Sequence, residues 1–334
     1  MTPIRNVGDM AQSLILRRQN ATLKQAMQTL STELTTGLVT DTTARLKGNY
    51  ALLAGIETSL TQLDSYRRVT TETAATASVM QTALSHIATS ARDLGAALIA
   101  AASSNSPARI DTLGTDATQK LQSALSALNT RIGDRSVFAG VATDHAAVAD
   151  AETMMTALDT AVAGAISSAD VQTAVDAWFA DPGGFAATVY LGGAALQPVP
   201  VGPDDQATLD ITALDPALVE TLKGLAMTSL LDRGTLAGSD VARADLAKRA
   251  GESLLSSATA RAELSARLGT VEAGISNASL RNDSERSALE TAKLGLLSVD
   301  PYEVAAKLQA TQTQLQTLYS ITARMQRLSL VDYL

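Results

Sequence analysis

The sequence predicts a mainly α protein, in which the two chain ends form a long helical coiled-coil stem and a small α+β domain is inserted in the middle. Five of the eight prolines lie between residues 182 and 216, whereas residues 4–106 and 217–300 contain none. Because proline breaks helix interiors, both flanks are free to form long helices. Both flanks also carry apolar residues at alternating steps of three and four, which is the pattern of a coiled-coil seam.

The first and last helices each carry a narrow apolar stripe. Two further apolar runs, Leu63 to Leu98 and Leu264 to Leu296, lie between these helices in the sequence and follow the same spacing. One helix alone cannot bury such a stripe, so we predict that the chain-end helices pair and form an assembly interface. The predicted interface residues are Leu16, Leu23, Met27, Leu30, Leu34, Val304, Leu308, Leu315, Leu318, Ile321, Met325, Leu328, Leu330 and Leu334.

A helix start is predicted at the segment "LLSVDPYEVAAKL". Asp300 is suited to cap the helix N-terminus, Pro301 fits the first helical position, and Glu303 falls in the first turn. The N-terminal flank has a matching break between Gly37 and Gly48. Each chain end is therefore predicted to contain an outer helix, a hinge and a longer inner helix.

The middle of the chain is predicted to mix helices with short strands. We expect a helix over 108–131, a turn with a short extended segment over 133–141, one or two helices over 151–180 and a helix over 216–231. Residues 186–212 alternate apolar and polar residues between Gly and Pro turns, which predicts two or three short strands.

Three kinds of segment follow from these elements. We expect terminal coiled-coil helices at 1–36 and 300–334, disordered in the monomer, a helical stem at 37–140 and 237–299, and an inserted outer α+β domain at 141–236. Since the terminal stripes lack a partner within one helix, their ordering is expected to accompany association.

Charge and composition argue against several partners. The formal net charge is −8, and an acidic chain disfavours nucleic acid, whose phosphates require a basic surface. There is no cysteine, so disulfides and thiol chemistry are excluded. No apolar run approaches the ~20 residues that span a membrane, so we expect no membrane insertion. The first residues do not have the pattern of a cleavable signal peptide.

The sequence offers few candidate residues for catalysis or metal binding. The only histidines are His86, in a predicted helix, and His145, in a predicted loop. Neither has metal-ligand spacing, and no phosphate-binding loop, nucleophile elbow or zinc-protease motif occurs. We therefore predict no catalytic, cofactor-binding or metal site, and no enzyme.

Three local motifs carry a family resemblance. "LSTELTTGL" at Leu30–Leu38 resembles the segment that closes the first helix in the flagellin family of axial flagellar proteins. "GDRSVFAG" at Gly133–Gly140 is similar to a motif of the hook–filament junction members (the hook-associated protein 3 type), and its matching residues are Arg135, Phe138 and Gly140. The segment from Asp300, Pro301 and Glu303 to the chain end resembles the C-terminus of the same proteins. The family's paired acidic signature after the first helix is reduced here to Asp41.

The resemblance implies a structural protein of the bacterial flagellum, an adaptor at the hook–filament junction. It implies export through the flagellar type III system without a cleavable signal peptide, and an extracellular location as an oligomeric ring. The implied partners are other copies of the chain, a neighbouring hook-associated protein, flagellin, and a cytoplasmic export chaperone on the C-terminal helix.

Two other functions stay open from the sequence. The first is a filament flagellin subunit with a small outer domain. The second belongs to a different class, a coiled-coil stalk that presents residues of the insert to a ligand or receptor. In that case the short strands would carry the function and the helical seams would serve as spacers.

Overall fold

The computed structural model describes residues 4–104 and 106–331, with side chains placed for residues 10–104 and 106–325. The mainly α prediction is confirmed. The helices are α1 Ile4–Thr36, α2 Thr42–Leu46, α3 Ala51–Ser103, α4 Pro107–Leu128, α5 Ala151–Val162, α6 Ser168–Ala180, α7 Phe185–Thr188, α8 Pro216–Asp232, α9 Asp240–Ser256, α10 Ala258–Leu297 and α11 Pro301–Val331. Two compact units are present, one of Met1–Gln62 with Ser284–Leu334 and one of Leu63–Asp283.

The first unit is built from the two chain ends. It contains α1, α2 and the start of α3 from one end, with the last turns of α10 and all of α11 from the other. Helices α1 and α11 pack against each other. Residues 15–23 of α1 lie beside 313–321 of α11, and the residues just after α1 pair with those just before α11, so the two helices are antiparallel. Both chain ends thus have the predicted order of outer helix, hinge and inner helix.

The core of the second unit lies among α3, α4, α8 and α9, with α5 and α6 at its side. Helix α8 is buried on nearly every face, and its buried residues include Thr221, Thr228 and Ser229, whose hydroxyls donate to carbonyls of the same helix. Glycines allow the closest approaches: a Cβ at Gly224 would lie 2.6 Å from Leu254 Cδ2, and one at Gly114 would lie 3.0 Å from the Asp232 amide nitrogen. Small residues at these crossings let the helix backbones come close together.

Local capping explains where several of these helices begin. Asp150 accepts a hydrogen bond from the Thr153 amide at the start of α5, and Asp215 accepts one from Ala217 at the start of α8. Ser167 and Asp170 form a complete capping box at the start of α6.

The described strands are short and form two hairpins. Residues Arg131–Ile132 (β1) and Arg135–Ser136 (β2) form one antiparallel hairpin around Gly133, and Val199–Pro200 (β3) and Gln206–Ala207 (β4) form a second. Of the two or three short strands predicted over 186–212, β3 and β4 are present, but the start of that stretch is not extended, because Phe185–Thr188 is the short helix α7. The reason is tertiary: Phe185 is buried and stacks on Phe179 at 5.3 Å, which holds this segment against the end of α6. Beyond α7, Tyr190 forms only an isolated bridge with Val148.

The region predicted as an insert shares its core with neighbouring helices. Residues of α5, α6 and α8, all within 141–236, belong to the same buried cluster as residues of α4 and α9. Asn129 binds Val148 in both directions, its amide nitrogen donating to the carbonyl at 2.8 Å and its oxygen accepting from the amide at 2.9 Å. The domain boundaries at 141 and 236 stay a prediction. In the structure, the helices between them pack together with α4 and α9.

Candidate assembly interface

The predicted interface residues line the antiparallel pair of α1 and α11, hereafter the outer pair. Three of them are buried, Val304, Leu315 and Leu318, at 5, 6 and 7% exposure. Two others, Leu34 and Ile321, are 39 and 45% exposed. Half-buried are Leu16, Leu23, Met27, Leu30, Leu308 and Met325.

The side chains of Leu328 and Leu330, and the whole of Leu334, lie outside the described residues. The outer pair therefore buries only part of its predicted stripe within one chain.

An open groove runs between the two helices of the outer pair. Its volume is about 790 Å³. Leu318 lies at its base, whereas Ile15 and Ile321 are about half exposed along it. The half-buried Leu23 also lines the groove. The remaining lining residues are polar: Arg18, Gln19, Thr22, Thr313, Gln314 and Thr317.

Apolar side chains outside the groove add to the uncovered surface of α1 and α11. On α1, Met10 is 72% exposed and Leu14 63% exposed. On α11, Tyr302 is 88% exposed and Tyr319 is 48% exposed. At about 25 cal/mol per Å² of apolar area, covering several such side chains would supply several kcal/mol of association free energy.

The α11 helix begins at the predicted residue. The Asp300 carboxylate accepts hydrogen bonds from the amides of Tyr302, at 2.8 Å, and Glu303, at 3.4 Å, and Pro301 is the first helical residue. Glu303 pairs with Lys307 at 2.7 Å and raises the pKa of that amine. An Asp cap followed by proline and a first-turn glutamate is a local arrangement, which is why the sequence predicted the start of this helix.

The hinge between α10 and α11 is fixed by the connection between α1 and α2. Leu38 and Ser298 form an antiparallel bridge, in which the Val39 amide donates to Leu297 O at 2.8 Å and the Val299 amide donates to Gly37 O at 3.0 Å. These bonds place the end of α1 and the start of α11 side by side.

Arg45 in α2 completes this hinge. Its Nε donates to the Leu296 carbonyl at 3.2 Å and its Nη2 to the Ser298 carbonyl at 3.1 Å. These carbonyls lie at the C-terminal end of α10, where carbonyls lack partners within the helix and the helix dipole favours a cation. This role of Arg45 was not predicted from the sequence, although a lone arginine in a short capped helix beside the predicted break was a usable signal.

The "GDRSVFAG" segment is tightly packed inside the second unit. Phe138 is fully buried, and Gly140 has φ +58°. The Phe138 carbonyl accepts from the Ala213 amide at 3.1 Å, and Ala139 O accepts from Gly193 N at 2.9 Å. Arg135 pairs with Glu72 of α3 at 2.8 Å. The segment thus joins α3 to the loops around 193 and 213, and lies outside the unit that contains the outer pair.

Both histidines are surface residues. His86 is exposed and shares a hydrogen bond with Ser123 at 2.7 Å, and His145 lies 3.3 Å from Asp144 at the surface. Across the described ranges 4–104 and 106–331, no three metal-ligating side chains come together. Within the same ranges, none of the helices combines the length and the apolarity that crossing a bilayer requires.

Comparisons with known proteins give one family match. Residues 254–334 match the family model described as the bacterial flagellin C-terminal helical region, which covers α10, the hinge and α11. A comparison with curated proteins gave no match. Among solved structures, one provisionally described as a flagellar hook-associated protein from Vibrio parahaemolyticus is 15% identical, with 71% of this chain and 95% of that chain covered and a TM-score of 0.41. At that TM-score the likeness does not establish a common fold.

Proposed function

We propose that this protein is a structural component of the bacterial flagellum, an adaptor at the hook–filament junction. The observation that carries the proposal is the flagellin C-terminal helical region over 254–334. In the structure its last helix, α11, is paired with α1 at the opposite end of the chain. A chain whose two ends form one antiparallel pair is suited to an axial assembly, in which each copy contributes the same two helices.

The junction role is supported by the motif at Gly133–Gly140. Its phenylalanine and final glycine are held by close packing, since Phe138 is buried and a side chain at Gly140 would overlap the carbonyl oxygen of Ala194. The resemblance of this motif to junction proteins distinguishes the proposal from a filament flagellin subunit.

Assembly follows from the physics of the outer pair. A pair of helices that leaves several large apolar side chains uncovered gains free energy when neighbouring copies cover them. We propose that the ends order fully on association, as an oligomeric ring between a neighbouring hook-associated protein and flagellin. Before assembly, a cytoplasmic chaperone bound to α11 would cover the same apolar surface and keep it from aggregating. The chain would then leave the cell through the type III route.

The test is a strain that lacks this gene, complemented by variants. The deletion is expected to build hooks but to release flagellin into the medium, and the intact gene restores filaments. Leu318→Asp, which buries a charge in the outer pair, should fail to complement. Ile166→Asp, at an 88% exposed site between α5 and α6, should complement.

Abundance separates the proposal from its rivals. A junction adaptor is a trace component of sheared appendages, whereas a filament subunit is their main protein. Normal filaments in the deletion strain would refute both flagellar roles and favour a stalk that presents residues 141–236 to a ligand.

A further inference from the structure

A loop in the second unit lies against both α3 and α10 and carries the second hairpin. It spans residues 195–208, hereafter the β3–β4 loop, and is attached to the rest of the unit at each end. Just before it, the Val141 amide donates to Ala194 O at 2.9 Å. Just after it, Leu209 is buried in the main core. Any movement of the loop is therefore confined to the stretch between these two attachments.

The β3–β4 loop is held against α10 by a small apolar cluster that is separate from the main core. Val201 and Ala207 of the loop are 1 and 4% exposed, and they pack with Ile275 and Ala278 of α10. The main core is much larger and joins buried residues of several helices. Because release of the loop uncovers far less apolar area than unfolding of the main core, it requires a smaller free energy.

Two polar contacts from α10 hold the same loop. The Asn282 side-chain amide donates to the Val201 carbonyl at 2.8 Å, and the Arg281 guanidinium pairs with Asp205. Arg281 is more than half exposed, so water competes with its ion pair. Asn282 is only 5% exposed, and the carbonyl that binds its amide lies on the loop. The Asn282 hydrogen bond is therefore the polar contact that depends most on the loop staying in place.

A cavity of about 240 Å³ lies beneath the β3–β4 loop. Leu196 and Val199 of the loop form one of its walls, and α3 and the "GDRSVFAG" segment, including Val137, form the others. Glu72 and Arg135, which pair with each other and are both more than half exposed, stand at its open edge. Since α3 and Val137 belong to the main core, the wall that can move is the one that the loop supplies.

We propose that the β3–β4 loop is a lid, which releases from α10 as one piece without unfolding of the main core and so opens the cavity beneath it. Release breaks the Asn282 hydrogen bond and exposes Val201 and Ala207, while the attachments at Ala194 and Leu209 stay in place. A two-stranded hairpin is marginally stable in water, so β3 and β4 separate once they leave α10. The inference concerns the second unit alone and holds whether or not the flagellar role is correct.

Cysteine labelling can measure this opening, because the chain has no cysteine of its own. Single reporters are placed in the loop (Ala207→Cys and, separately, Val201→Cys), in the cavity wall (Val137→Cys) and in the main core (Ala226→Cys), all at buried positions. The labelling rate of each in the folded chain is divided by its rate in urea, which gives the opening constant when closing outpaces labelling. The loop and cavity reporters are expected to open at least about hundredfold more often than Ala226→Cys.

A substitution at Asn282 tests the contact that holds the lid. Asn282→Ala, combined with each reporter, removes the buried hydrogen bond and should speed labelling of the loop and cavity reporters about tenfold, with no change at Ala226→Cys. Asn277→Ala is the matched control, because Asn277 is exposed on the same helix, and it should change none of the rates more than about twofold.

Four results would overturn the proposal. Opening constants at the loop reporters equal to that of Ala226→Cys would show that the loop opens only when the whole unit unfolds. Different constants at Ala207→Cys and Val201→Cys would show that the loop does not release as one piece. A Val137→Cys rate that is as slow as that of Ala226→Cys, or that ignores Asn282→Ala, would show that the loop does not cover the cavity. Loop reporters unaffected by Asn282→Ala, or a core reporter that speeds up equally, would remove the contact with α10 as the fastening.

Discussion

Replacing Gly140 by alanine tests whether close packing fixes the "GDRSVFAG" segment. Two glycines of this segment, Gly133 and Gly140, have nearly the same backbone conformation, with φ +57° and +58°. Their surroundings differ. A Cβ at Gly133 would have no atom within 4 Å, whereas a Cβ at Gly140 would overlap Ala194 O and lie 2.8 Å from Gly193 O. Gly133→Ala is therefore a matched control for backbone strain without a clash.

The expected costs follow from these contacts. An L side chain in the left-handed region costs about 1–2 kcal/mol, partly offset by about 0.4–1 kcal/mol because alanine restricts the unfolded chain. Gly133→Ala should thus lower the free energy of unfolding by about 1 kcal/mol. At Gly140 the loop around Ala194 must also move away, which breaks the Val141-to-Ala194 bond of 2.9 Å and strains the Gly193-to-Ala139 bond. Each adds about 1 kcal/mol, so the total is about 3 kcal/mol.

Urea unfolding followed by tryptophan fluorescence provides the assay. Trp178 is the only tryptophan, and it lies in the same unit, 5.0 Å from the Phe179 ring. The two variants should differ in their transition midpoints while the slopes stay equal. Equal losses of stability in Gly140→Ala and Gly133→Ala would refute the packing argument.

Three further predictions concern charged groups. Arg45→Met should leave the two carbonyls at the end of α10 unbound and speed hydrogen exchange of the Val299 amide by about tenfold, with Thr43→Ala in the same short helix as the neutral control. Arg261→Met should raise the midpoint of urea unfolding or leave it unchanged, because among the described residues this buried guanidinium is bonded only to neutral oxygens, and burial lowers its pKa. A clear loss of stability would contradict this. The hydrogen bond from a serine hydroxyl lowers the pKa of the Asp245 carboxyl below its usual value of 3.8. The ionised carboxylate therefore stabilises the fold above pH 3.8, and this stabilisation is lost as the pH falls through the pKa of the folded state. Asp245→Asn should show a smaller drop in the urea midpoint between about pH 5 and pH 3 than the unaltered chain.

Local chemistry determined much of this fold from the sequence. The start of α11 at Pro301 depends on a cap, a proline and a glutamate within four residues, and all three are visible in the sequence. The long helices followed from apolar spacing and from the absence of proline. Both signals act over one or two turns, so they need no knowledge of distant residues.

Tertiary structure decided the features that the sequence analysis missed. The segment after Gly184 alternates like a strand but folds as α7, because Phe185 packs on the rings at the end of α6. There a contact with another element outweighs a weak local preference. The break of the C-terminal arm at Ser257, between α9 and α10, is a second feature that apolar spacing did not predict.

The candidate interface divides in the same way. The sequence by itself determined which residues form the apolar stripes of α1 and α11, since periodicity places them on one face of each helix. Only the tertiary structure decided that Leu318 is covered while Ile15 and Ile321 remain open, and that Arg18 borders the groove between them. It also placed Arg45 on α10 across about 250 residues of sequence. Burial and partner choice depend on how two distant segments meet, and a helical period does not encode that geometry.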